Sequence, residues 1–324
     1  MNDYSFFFKH LIFIILGIFV IIFFSSIDQN KLFNLSFIIF LFSLAFLFLV
    51  PILGIEVKGS KRWIDLYLLP RFQPIELVKP FLIVFVSLTL GSQKYSNIYL
   101  KYLVTFLVTS LIAILLVMQP DIGQTILVFF SWVILIFTSG INIVFLFILF
   151  LIIILLFLYL IFFVSKFIYI KNRILSFFDS ETGTHNFQSD KAIDSITSGG
   201  FFGKGIGEGT LKNMVPEAHT DYIISVISEE FGVVAIILIL FLFLIFIHTV
   251  FKKVNLENEE RVKLILTGCA SLILMQAMIH IGVNIRLFPT TGMTLPYISY
   301  GGSSIISTSI LSGIILNLTR RRVN

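Results

Sequence analysis

Gly199 to Gly232 reads GGFFGKGIGEGTLKNMVPEAHTDYIISVISEEFG and lies between two very apolar halves of the chain. Residues 199–209 hold six glycines and Lys204; Pro216, Glu217, His219 and Asp221 follow within six positions of one another. So dense a polar window in so apolar a chain points to a site rather than a spacer. Glycine spacing of this kind lets backbone approach a phosphate. No strand pattern precedes it, however, and it matches neither a dinucleotide fingerprint nor a P-loop, so a flexible turn is the plainer reading. Pro216 suits a first helical turn. A helix is therefore expected from there, with Glu217, His219 and Asp221 at its positive end and Glu217 and Asp221 on one face. Helix running from His219 to His248 would be about 45 Å long, more than a straight membrane crossing needs. Either the Asp221 turn projects beyond the bilayer core, or the helix breaks near Gly232.

The flanking halves make this an integral membrane protein. Of 324 residues, 57% are hydrophobic and only 13% charged, with a mean hydropathy of +1.02; a soluble domain carries about a quarter charged residues. The net charge of +5 is small. Its basic residues lie in loops and at the end, as orientation signals or lipid-phosphate contacts rather than a nucleic-acid surface. The single cysteine, Cys269, excludes an intrachain disulfide and a cysteine zinc cluster. A spanning helix needs about 20 apolar residues. Nine runs fit: 10–24, 33–53, 75–91, 102–118, 122–138, 141–164, 231–248, 264–284 and 296–317. Lipid offers no partner to a free N–H or C=O, so the runs must be helical. The expected fold is an all-α polytopic bundle, one membrane domain over 1–324 with a long extracytoplasmic loop at 165–217.

The polar stretches between runs are few. Lys58, Lys61, Arg62 and Trp63 crowd one short loop, and a membrane-surface anchor accounts for that composition. In the stretch from Arg71 to Lys79, Pro74 opens a helix, and Glu76 and Lys79 stand three apart at the mouth of the third span. Charges at that depth either neutralise each other or line a cavity. Asp121 stands where a helix cap is wanted. The segment 167–178 mixes apolar and basic residues and could lie flat on the membrane. Small residues from Gly301 to Ser304 allow close helix contact. Arg320, Arg321 and Arg322 place the C-terminus in the cytoplasm. The loops at 57–73, 119–122, 165–217 and 285–295 then face outward. Four cations in the first of these run against the positive-inside rule, which an anionic ligand on the outer face would explain.

These residues resemble the SEDS family (shape, elongation, division and sporulation) of bacterial peptidoglycan glycosyltransferases. The stretches that carry the likeness are KGSKRWIDL, RFQPIELVK, QPDIGQTIL, SGGFFGKGIGEGT, PEAHTDYIISVISEEFG and FPTTGMTLPYISYGGSS, in family order from Val57 onward. PEAHTD and GMTLPYISYGGSS are closer to the division (FtsW-like) branch than to the elongation (RodA-like) branch. The family has ten spans and a cytoplasmic N-terminus. The first two runs here look like its second and third, so the usual first helix is expected to be missing or upstream.

The resemblance implies a multi-pass protein of the bacterial cytoplasmic (inner) membrane that polymerises lipid II at the periplasmic face. A hydroxyl of the acceptor attacks the anomeric carbon of the undecaprenyl-diphosphate-linked glycan, and undecaprenyl diphosphate leaves. The hydroxyl needs a base and the leaving diphosphate needs cations. Asp221 is the base on the family motif. Arg62, Arg71 and Lys79 are candidates for the diphosphate, with Glu76 orienting Lys79; Lys58, Lys61 and Lys204 are weaker ones. Trp63 would pack on lipid or sugar, and Glu217 and His219 would support Asp221. No residue is assigned as a metal ligand and no cofactor is assigned, while a divalent cation, Mg or Mn, bridging Asp221 and phosphate is compatible with the resemblance. The implied partners are a class B penicillin-binding transpeptidase and other divisome proteins. A flippase for the same lipid-linked sugar and a non-catalytic scaffold are the rival readings. A transporter would show internal repeats and broken helices at the midplane; no repeat is visible, and the motifs cluster on one side.

Overall fold

The computed structural model of the chain describes residues 3–57, 60–65, 70–92, 97–164, 167–178 and 184–320. The elements are α1 (Asp3–Ser26), α2 (Gln29–Leu53), β1 (Ile55–Val57), β2 (Ser60–Trp63), α3 (Pro74–Leu90), α4 (Ile98–Met118), α5 (Ile122–Thr138) and α6 (Ile143–Phe163). They continue with α7 (Ile168–Phe178), α8 (Thr184–Gly199), α9 (Ile223–Leu256), α10 (Glu260–Asn284) and α11 (Gly302–Thr319). Every apolar run read from the sequence overlaps a helix. Among the described residues six helices are long and apolar enough to cross a membrane: α1 from Phe6, α2, α4, α9, α10 and α11. α5 and the Ile143–Leu155 part of α6 are apolar but shorter.

Cα packing divides the chain into two compact units. The first comprises Met1–Gly140, Ile247–Leu274 and Gly301–Asn324; the second comprises Ile141–Phe246 and Met275–Tyr300.

In the first unit α3 is the centre. It packs on α2, α4, α5 and α11, and most of its side chains are buried. Between helices in lipid, close packing rather than a hydrophobic gradient supplies the attraction, so small residues mark the contacts. Gly17 and Gly313 let α1 and α11 meet, because a Cβ at either would press on Ser309 or Phe24. Gly302 abuts Phe13 in the same way, which is the use expected of the small residues at 301–304. Asn317 locks the turn after α1 by donating to Phe24 O (2.9 Å), Ser25 O (3.3 Å) and Ile27 O (2.6 Å). Helix starts follow their caps. Asp28 accepts Asn30 N, Asn97 accepts Tyr99 N, and Asp121 accepts Gln124 N. One feature departs from the all-helical expectation: β1 and β2 form a small antiparallel hairpin with Trp63 opposite Ile55, extended by a bridge from Ile64 to Phe72.

In the second unit the long connection is not structureless. α7 and α8 occupy it, followed by a 3-10 turn at Leu211–Met214. Two helix boundaries differ from the sequence reading. The helix expected from Pro216 begins only at Ile223, because Glu217 adopts a left-handed φ of 57° and residues 216–222 form turns. Glu217 and Asp221 therefore share no helix face. The last span begins at Gly302 rather than 296; residues 296–298 are a turn, with Tyr297 at φ 66°. The break at Gly232, one of the two outcomes the length of the run allowed, is present (φ 76°, ψ −176°).

Candidate functional site

In the first unit the polar residues expected at the mouth of α3 converge. Lys79 Nζ lies 2.9 Å from Glu76, and Gln124 Nε2 donates to Glu76 Oε1 at 2.8 Å. Beside them Gln73 Nε2 donates to Asp121 Oδ2 at 3.0 Å, while Arg62 Nε stands 3.6 Å from that oxygen. Arg62 also donates from Nε to Gln119 O at 3.2 Å and from Nη2 to Pro120 O. The hairpin is what allows this, since it turns Arg62 back toward the connection between α4 and α5. Burial raises the pKa of Asp121 above the ordinary 3.8, and Arg62 opposes the rise. Asp121 caps α5 as expected and also anchors this network, a role set by contacts between segments distant in sequence. Arg71 is separate, 62% exposed, and pairs with Asp65 at 3.0 Å. Lys61 is exposed and Trp63 half-buried. Lys58, Arg321 and Arg322 lie outside the described residues.

In the second unit the glycine run forms turns packed against the start of α9. It splints the broken helix. Amide N–H groups of Lys204 and Gly205 donate to Glu229 O (2.8 Å) and Glu230 O (3.0 Å). Val233 N and Val234 N donate to Gly200 O (3.0 Å) and Phe201 O (3.3 Å). A break in a membrane helix strands backbone groups that lipid cannot satisfy, and here the loop satisfies them. Glycine is required because Gly203 and Gly232 both take positive φ and touch backbone of the opposite segment, at Glu230 and Phe201.

Glu229, which sequence reasoning missed, is the anchor of that loop. Its fully buried carboxylate accepts Lys204 Nζ (3.1 Å), Thr210 N (2.9 Å), Leu211 N (3.0 Å), Lys212 N (2.6 Å) and Ser195 Oγ (3.1 Å). Glu230 accepts Gly207 N at 3.2 Å and Lys212 Nζ. The signal was the pair of adjacent acids directly before Phe231-Gly232. Lys204, expected to bind substrate, is thus engaged with Glu229.

Asp221 is half-buried in the turn just ahead of α9, while Glu217 and His219 are exposed. Glu217 Oε2 accepts Thr220 Oγ1 at 3.2 Å. Asp221 belongs to the second unit, and Arg62, Arg71, Glu76 and Lys79 to the first. Among the described residues no three His, Cys, Asp or Glu side chains group to hold a metal ion. Farther along α9 an apolar cavity of about 360 Å³ is lined by Leu242, Phe243, Phe246, Pro296 and Tyr297 among others.

The family model FTSW_RODA_SPOVE, described as "Cell cycle protein", matches residues 1–324. The chain is 32% identical over 300 residues to a "Probable peptidoglycan glycosyltransferase FtsW" of Caulobacter vibrioides, covering 92% of this chain and 75% of that protein. It is 34% identical over 300 residues to the protein of the same description from Francisella salina, covering 90% and 73%. Among solved structures it resembles the Rod shape determining protein RodA of Thermus thermophilus, with TM-score 0.72 and 26% identity over 99% of this chain and 90% of that one. A chain of a peptidoglycan synthase complex shares the fold at TM-score 0.80, with 24% identity over 98% and 90%.

Proposed function

We propose a mechanism from one premise: the chain belongs to the FtsW, RodA and SpoVE family of cell cycle proteins, and it is a peptidoglycan glycosyltransferase of the membrane. Its substrate is lipid II, polymerised at the periplasmic face of the bacterial inner membrane during septal wall synthesis. The observation that carries the reading is the placing of Asp221. It is a partly accessible carboxylate on a turn outside the helical ladder, in the motif that carries the family likeness. Such a group can take the proton of the acceptor hydroxyl as it attacks the anomeric carbon.

The bond to undecaprenyl diphosphate breaks as the new glycosidic bond forms, and negative charge gathers on the leaving diphosphate. Cations lower that barrier. Arg71 and Lys61, both exposed, and Arg62 are assigned to it. Lys79, oriented by Glu76 in a buried pair, belongs to the same assignment. The apolar cavity on α9 suits substrate hydrocarbon, because scarcely any polar group lines it. Asp221 is the carboxylate that would hold a magnesium or manganese ion, which would supply positive charge for the leaving diphosphate, since magnesium is commonly held by one or two carboxylates together with substrate phosphates. A class B penicillin-binding transpeptidase would crosslink the strands made here.

The test is glycan polymerisation from lipid II by purified protein, alone and with a class B transpeptidase, for wild type and Asp221→Asn. Wild type should make strands and the variant should not, although both fold. Equal turnover by Asp221→Asn removes the base. Transfer of lipid II across vesicles without polymer would favour a flippase, and inactivity in every arm would favour a scaffold.

A further inference from the structure

Residues 216–222 form no helix, so nothing in a helical ladder fixes the backbone that carries Asp221. The second unit fixes it in another way. Amide N–H groups of Thr220, Asp221 and Tyr222 all donate to Glu217 O, at 3.1, 3.1 and 3.3 Å. The three carbonyls on the opposite side are held from the 284–300 segment. Tyr300 N donates to His219 O at 2.9 Å, Ser299 Oγ to Thr220 O at 2.7 Å, and Asn284 Nδ2 to Asp221 O at 3.0 Å.

Two of these donors are side chains, both buried: Asn284 is 0% exposed and Ser299 2%. Each is itself oriented. Asn284 Nδ2 donates a second time, to His280 O at 2.9 Å, so two carbonyls dictate which way the amide lies. Ser299 Oγ accepts Leu295 N at 2.8 Å, which turns its proton toward Thr220 O. We propose that Asn284 and Ser299 are positioning residues for Asp221, a reading that rests on Asp221 being the base. They set the direction of its side chain through the main chain rather than by touching substrate. A catalytic group has to be held to within about 0.5 Å, and misplacement by about 1 Å can cost roughly a hundredfold in rate.

The test uses the full-length protein and lipid II. Asn284→Ala and Ser299→Ala should lower kcat roughly 10- to 100-fold, with KM for lipid II within about twofold, as expected when binding is untouched. Ser299→Thr, which keeps the hydroxyl, should recover most of the rate. Amide hydrogen exchange at 220–222 should quicken in Ser299→Ala and not in Ser299→Thr. That measurement carries the test even where Asn284→Ala fails to fold. Wild-type kcat in folded Ser299→Ala overturns the proposal, as does a raised KM at unchanged kcat, which would mean contact with substrate. Asp221→Asn is assayed alongside. If it turns over normally, the base assignment has failed; if it is dead while both alanine variants run at full rate, the positioning proposal alone has failed.

Discussion

Lys79 Nζ lies 2.9 Å from Glu76, one turn earlier on α3, and the two side chains are 0% and 4% exposed. A buried ion pair contributes little net stability, but removing one partner strands a charge at a cost of about 3–5 kcal/mol. Lys79→Met should therefore lower the unfolding temperature of the detergent-solubilised protein sharply. The double variant Glu76→Gln, Lys79→Met should return near wild type, since Gln124 can still donate to the residue at 76. A double variant as unstable as the single one would show that the pair is more than self-neutralising.

The splint at the helix break predicts a graded series of glycine substitutions. Gly207 has φ 84° and nothing within 4 Å of an added Cβ, so Gly207→Ala should cost only the left-handed backbone penalty, about 1–2 kcal/mol. Gly203→Ala and Gly232→Ala meet that same penalty (φ 79° and 76°) and drive a methyl into the backbone of Glu230 or Phe201. They should cost about 4 kcal/mol or more. Thermal unfolding of the three variants decides it; equal shifts would mean that the loop does not bear on the break.

Asp121 gives a pH test. Its folded pKa is raised above 3.8, chiefly by burial, with Arg62 opposing. The folded state thus holds this proton more tightly than the unfolded chain does. The stability it contributes is fully present below the unfolded value and is lost as pH rises through the folded one. Asp121→Asn cannot ionise and keeps a capping side chain. The unfolding temperature of wild type minus that of the variant should accordingly fall as pH is raised from below 3.8. A difference that climbs with pH would mean that Arg62 outweighs burial.

Much of the architecture is legible in the sequence for a simple reason: a membrane helix must be apolar along its length. Hydropathy therefore locates α1 to α6 and α9 to α11, and the surplus length after His219 leaves a break near Gly232 as one of two outcomes. Caps such as Asp121 and the three-residue spacing of Glu76 and Lys79 are local and were read correctly. What escaped depends on segments distant in sequence. Pro216 signals a helix start, yet Glu217 turns left-handed and places its carbonyl to bind three amides. The glycines look like a turn alone, and their hydrogen bonds to the broken helix show only in the folded chain. Glu229 looks like one more surface acid until the 195–212 segment folds over it.

Glu229 supplies the last prediction. Five donors converge on its carboxylate, and four of them are not Lys204: Ser195 Oγ and the amides of Thr210, Leu211 and Lys212. A glutamine at 229 would keep the shape but turn an N–H₂ toward donors, leaving buried groups unpaired. Glu229→Gln should thus cost about 3–5 kcal/mol, the range for breaking one side of a buried charged network. Lys204 is different, because its side chain is 36% exposed and water can replace what it gives. Lys204→Ala should cost no more than about 1 kcal/mol. Hydrogen exchange separates them residue by residue: amides 210–212 should stay protected in Lys204→Ala and open in Glu229→Gln. Should Lys204→Ala open them equally, the lysine rather than the backbone amides is the principal partner of the carboxylate.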